Sequence, residues 1–145
     1  IQGVTGSTIE IIEAVHEKGG VAVKAHPLLS AFKDLKNPFS HAKAFDALEV
    51  NSVTPLFLNE YFEKECTKRG LNLTGGSDSH SYNTLGNAVT LFQENICNVD
   101  NLIEAISKGC IRAKQFSSDY FLRFQVYPQH LSFLTKTCYK SYQER

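Results

Sequence analysis

The chain contains no methionine and no tryptophan, only four prolines, and no charge excess, with 15 basic residues against 15 acidic ones. Zero net charge gives no electrostatic footprint for a nucleic-acid binder. No apolar run approaches the roughly 20 residues that a membrane helix needs, and no signal peptide is visible. A cytoplasmic protein without a membrane partner is therefore expected. The four cysteines, Cys66, Cys97, Cys110 and Cys138, form no Cys-x-x-Cys pair. That spacing argues against a zinc ribbon or thioredoxin-type motif, and free thiols in a reducing compartment are expected. With no initiator methionine, a chain opening at Ile1 reads as a piece of a longer product.

What is present is ordinary for a globular chain: 145 residues, 42% of them hydrophobic and 21% charged. That length suits one domain. Ser7 and Glu10 fit a capping box that opens a helix through Ile9, Ile12, Ala14 and Val15, stopped at Gly19-Gly20. His16 lies on this helix, towards solvent. Val21 to Ala25 reads as a short buried strand that His26-Pro27 terminates, because proline removes a ladder donor and keeps His26 out of helical geometry. Ala31 to Lys36 and Phe39 to Phe45 suggest short helical turns, with His41 exposed. Asp46 to Asn51 resumes the strand pattern with Glu49 inside it, facing a site or capping an edge. Thr54-Pro55 predicts an N-cap followed by proline in the first turn. The helix should run to about Arg69, bury Leu58, Tyr61, Phe62 and Cys66, and close at Gly70.

Leu71 to Leu73 leads into Gly75-Gly76-Ser77-Asp78-Ser79-His80. Further strands are expected at Ala88 to Phe92 and Cys110 to Lys114. A helix lies between them, started by Asn98 or Asp100 and ended by Gly109. Strands alternating with helices through short connections predict parallel β/α units in an α/β fold. From Ser117 the chain turns aromatic-rich, and Leu131, Leu134, Cys138 and Tyr142 keep roughly helical spacing after Pro128. The expected organisation is an α/β domain over 1–116 and a helical extension over 117–145.

Asp78 and His80 sit two apart, so in extended backbone both side chains leave one face. Each feature also has an ordinary explanation, an Asx-turn at a strand end or a histidine bonded to backbone. His26, Asp78 and His80 nonetheless all fall at carboxyl ends of predicted strands, with Glu49 late in its own, and parallel folds gather those ends on one rim. Two histidines with one or two carboxylates suit zinc, manganese or iron. They also match the facial triad of non-haem iron oxygenases, although alternating strands and helices fit that family's usual fold poorly.

Gly-Gly-Val-Ala-Val-Lys-Ala-His-Pro (19–27), Ala-Leu-Glu-Val-Asn-Ser (47–52) and Gly-Gly-Ser-Asp-Ser-His (75–80) resemble the later motifs of the PHP domain, the polymerase and histidinol phosphatase family. The capping-box helix and the stretch from Leu102 to Ala113 are similar as well, so the resemblance covers about residues 7–115. It implies part of a distorted (β/α)7 barrel of parallel strands with a site of two or three divalent metals. By resemblance His26, Asp78 and His80 are metal ligands, Asp78 and His80 being catalytic. Glu49, Asn51, Ser77 and Arg112 are substrate-binding candidates. The implied reaction is hydrolysis of a phosphomonoester or nucleotide by metal-activated hydroxide. The family's opening His-x-His motif and the acidic ligands after it are absent from these 145 residues. The chain thus resembles the carboxyl-terminal portion, expected to pair with the missing amino-terminal portion or with another copy of itself. A non-catalytic binding or assembly module is the alternative.

Overall fold

In a computed structural model, residues 5–29 and 37–116 are described. The expected turn at Ala31 to Lys36, the extension over 117–145 and Cys138 lie outside the described residues. The chain runs α1 (Thr8–Glu17), β1 (Val23–Lys24), a 3-10 turn (Ala42–Ala44), β2 (Ala47–Asn51), α2 (Leu56–Lys68) and β3 (Leu73–Gly76). A second 3-10 turn (Tyr82–Thr84), β4 (Ala88–Phe92), α3 (Val99–Ser107) and β5 (Ile111–Gln115) follow.

The capping box forms as expected. Glu10 Oε2 accepts from the Ser7 N–H at 2.6 Å, and Ser7 Oγ accepts from the Glu10 N–H at 3.3 Å. Asn98 caps α3 through the Asn101 N–H. Helix α2 starts one residue later than its Thr-Pro signal predicts. Pro55 holds the N-cap position and Thr54 is buried, its N–H given to Asn51 O. His16 takes part in a strap rather than facing only water: its Nε2 lies 2.8 Å from Asp46 Oδ2, which also accepts the Ala22 N–H.

Strands β1, β2 and β3 form a parallel sheet in that order, with Glu49 opposite Thr74 and Asn51 opposite Gly76. The first three strands thus follow the β/α expectation, but the last two do not. β4 and β5 pair antiparallel, Ala88 with Gln115 through Phe92 with Ile111. β4 lies alongside β3 through hydroxyl groups. Gly75 N–H donates to Thr90 Oγ1 at 3.0 Å, and Ser77 Oγ donates to Ala88 O at 3.0 Å. The pairs 75/90 and 77/88 run in opposite senses, so β4 is antiparallel to β3 and β5 parallel to it. A parallel return needs a crossover of a dozen or more residues, usually helical, and the link from β3 to β4 carries only a loop with a 3-10 turn. The described residues therefore make a mixed α/β fold with a three-stranded parallel sheet, not a full barrel of parallel strands.

Alternation along β2 sends its side chains two ways. Leu48 and Val50 join Phe62, Cys66, Ala42 and Ala113 in one core cluster, whereas Ala47 packs with Ala105, Ile106 and Ile111 in another. On α2 the buried face is Asn59, Phe62 and Cys66; Tyr61 is half exposed, because it sits about 100° round from Phe62. No helix among the described residues is long and apolar enough to cross a membrane.

Phe62 stacks on Phe39 with ring centroids 5.4 Å apart and has 1% of its surface exposed. Phe62→Ala should cost about 3–5 kcal/mol in urea unfolding, and Tyr61→Ala on the same helix distinctly less; equal losses would contradict this packing. Burial pushes the Cys66 thiol up to about 12. The folded state therefore holds that proton more tightly than the unfolded chain, whose thiol titrates near ~8.5. Stability from this group should be full below that pH and decline towards pH 12. In alkylation at pH 8, exposed Cys97 should react first and Cys66 only after unfolding.

Candidate functional site

The carboxyl ends of β1, β2 and β3 meet on one rim, and Glu49 organises it. Its Oε2 accepts the His26 N–H at 2.7 Å and Asn51 Nδ2–H at 3.1 Å. Asn51, itself 1% exposed, is held in turn because its Oδ1 accepts the Val53 N–H at 2.9 Å. The other Glu49 oxygen, Oε1, rests against Gly76, where any Cβ would overlap it. Glycine at 76 is therefore the residue that lets a carboxylate lie across β3. A Cβ on Gly75 would likewise strike the Val89 carbonyl of β4.

Two of the three non-glycine residues with positive φ among the described residues stand on this rim, His26 at +32° and Asp78 at +48°. Such backbone is unfavourable for most side chains and persists where the surroundings enforce it, often at functional sites. At His26 the enforcing contact is the charge-assisted bond to Glu49. At Asp78 it is the preceding residue: Ser77 O accepts from Ser52 Oγ at 2.8 Å while Ser77 Oγ bonds to β4.

His80 is exposed, and its Nδ1 lies 2.8 Å from Asp78 O. A carbonyl only accepts, so Nδ1 carries the proton and a neutral ring keeps its lone pair on Nε2. Metal-ligating histidines are oriented by this kind of bond. The structure thus brings His26, Glu49, Asn51, Ser77 and Asp78 to one rim, with His80 on the adjoining loop. Among the described residues, however, no three or more His, Cys, Asp and Glu side chains form a group that could hold a metal ion. His26, Asp78 and His80 share a rim without closing a site by themselves.

Arg112 lies elsewhere. It is exposed opposite Leu91, three residues before Gln115 and so roughly 10 Å from the rim along β5. Its charge acts on Glu63 of α2, opposing the burial that raises that carboxyl. A network that sequence reasoning missed closes the rim from beneath. Asn59 Nδ2 donates to Asn51 O at 2.8 Å and to Gln115 Oε1 at 2.7 Å, and Gln115 Nε2 donates to Thr54 O at 3.2 Å. Asn59 lies at helical spacing from Phe62 and Cys66, a polar residue on a buried face. That signal was present in the sequence, whereas Gln115 had none.

Residues 58–111 match a family model described as PHP-associated, consistent with the carboxyl-terminal region of a PHP protein. The matched stretch runs from α2 through β3 and the loop over 77–80 to the start of β5. The structure is similar to PsfC from Pseudomonas syringae PB-5123 at a TM-score of 0.62 and 20% identity. That likeness, one of overall fold, covers 91% of this chain and 55% of PsfC, so the chain spans about half of that protein's length. No curated protein sequence matches the chain.

Glu49→Ala removes an acceptor that serves two donors. It should lower stability by about 1–3 kcal/mol in thermal or urea unfolding, and Glu49→Gln, which retains an acceptor, should lose less. Equal losses would show that Glu49 does not tie β1 to β2.

Proposed function

We propose that this chain supplies one side of a metal-dependent phosphoesterase site of the PHP type. In this reading His26, Asp78 and His80 are ligands to zinc, manganese or iron. Glu49, Asn51 and Ser77 border a phosphomonoester or nucleotide. The observation that carries the reading is the convergence of His26, Glu49 and Asp78 on one carboxyl-end rim, with strained backbone at both ends of the set. The Nδ1 bond of His80 supports it, since it readies Nε2 for a ligand role. The match to a PHP-associated family over 58–111 supports the relation to PHP proteins.

The described residues fall short of a complete metal site. On this proposal the remaining ligands come from a segment outside them or from another copy of the chain. The chain's own contribution is positional. Glu49 fixes His26 through its N–H, Asn51 fixes Glu49, and the Ser52–Ser77 bond holds the base of the Asp78 loop. That no three-ligand group closes among the described residues favours a second reading, a non-catalytic PHP-like module that binds or assembles.

Metal per chain and hydrolysis of p-nitrophenyl phosphate and nucleoside monophosphates separate the two. Both should be measured with Mn2+, Zn2+ or Fe2+ supplied, for the 145-residue chain and for any longer product that contains it. The enzyme reading expects metal-dependent hydrolysis in the longer product. It also expects Asp78→Ala and His26→Ala to weaken metal binding by on the order of 10–100-fold and to lower the rate with it. Metal content and rate unchanged in both variants would overturn it in favour of the module.

A further inference from the structure

The third positive-φ residue, His41 at +55°, lies at the opposite end of the sheet from the rim. It stands at the mouth of an open pocket of about 430 Å³ lined by Phe39, His41, Ala42, Lys43, Ala44, Arg69 and Leu71. Ala42–Ala44 precedes β2 and Leu71 precedes β3, so the pocket sits at the amino ends of these strands. It lies roughly 15 Å along β2 from the Glu49 rim. The volume is within the range of small-molecule sites.

Among the described residues the lining pairs an apolar floor with basic side chains and includes no acidic one. Ala42, Ala44 and Leu71 are buried or half-buried, whereas His41 and Lys43 are exposed. Arg69 adds a third basic group from a different element. Its guanidinium stacks 4.3 Å from the Phe39 ring centroid, with Glu65 3.7 Å from Nη2 beyond the lining. A basic residue at the end of α2 is accounted for by the helix dipole. That account does not reach His41 and Lys43, which arrive from a separate turn in a chain whose overall charge is balanced.

The wall is also set in place before any ligand arrives. Lys24 Nζ donates to Pro38 O and Ser40 O at 2.9 Å each, and Asn37 Oδ1 accepts the Phe39 N–H at 2.9 Å. Ala42 N–H to Phe39 O and Ala44 N–H to His41 O hold the turn. A preformed wall reduces the ordering that binding would otherwise require.

We propose that this pocket binds a small organic phosphate at a site separate from the rim. Lys43 and His41 meet the anion, and Arg69 adds positive potential. A compact apolar body rests on Ala42, Ala44 and Leu71. Phe39 is occupied by Arg69 and by Phe62, so the ligand gains no ring stacking from it. Phosphate fits better than a single carboxylate because its additional acceptor oxygens can use both the Lys43 ammonium and an imidazole N–H of His41.

The test titrates the intact 145-residue chain with n-butyl phosphate, followed by amide chemical shifts. Saturable shifts confined to Phe39–Ala44 and Arg69–Leu71 are expected at millimolar ligand or below, with n-butanol producing none. Lys43→Gln should weaken this binding about tenfold. His41→Asn, which tolerates the left-handed backbone, should weaken it less. Asp78→Ala should leave it unchanged, so failure at the rim and failure here are read independently. Absence of saturable shifts in this pocket, or shifts that Lys43→Gln leaves at full strength, would overturn the proposal.

Discussion

Two adjacent glycines in β3 are the constraint on which the rest of the structure depends. Without a Cβ at 75, the Val89 carbonyl of β4 can approach the β3 backbone; without one at 76, the Glu49 carboxylate can lie across it. The first approach brings in the β4–β5 pair. The second fixes Glu49 where it accepts from His26 and Asn51. Fold and candidate site therefore share one physical requirement, close packing at a strand that carries no side chains for two residues.

The change of direction after β3 has its own cause, the short link to β4 that carries only a 3-10 turn. Without a helical crossover to return the chain for a parallel pairing, β4 folds back beside β3. It is held by Thr90 and Ser77 hydroxyls rather than by a ladder. β5 then pairs antiparallel to β4 and so points the same way as β3. This return places Gln115 beneath the rim, where it joins Asn59, Ser52 and Thr54. The same geometry leaves Arg112 away from the rim and beside α2.

The rim and the amino-end pocket differ in how they are made. At the rim, strained backbone at His26 and Asp78 is enforced by hydrogen bonds between neighbouring strands. At the pocket, His41 sits in a turn whose wall is pinned by Lys24 from β1. In both places a side chain of the sheet reaches past its own strand to fix a loop, and loops fixed in this way can present polar groups in a set geometry.

The elements themselves were legible in the sequence because their signals are local. Ser7 and Glu10 are three residues apart, Asn98 precedes its helix, and the runs at Ala47–Asn51 and Ala88–Phe92 keep strand character over five residues each. So was the placement of His26 and Asp78 just past strand ends, where proline and glycine mark the stop, whereas Glu49 stands in the middle of β2 and reaches the rim through its carboxylate. The direction of β4 and β5 was not legible, because a helix between two strands marks alternation but not pairing sense. The burial of Asn59 and the remote position of Arg112 also depended on contacts between residues far apart in the chain. Sequence by itself determined where backbone could be helical, extended or turned, through caps, periodicity and breakers that act within a few residues. Only the tertiary structure decided which rim groups meet and which stay apart, because that rests on strand pairing and on the close approaches that Gly75 and Gly76 permit.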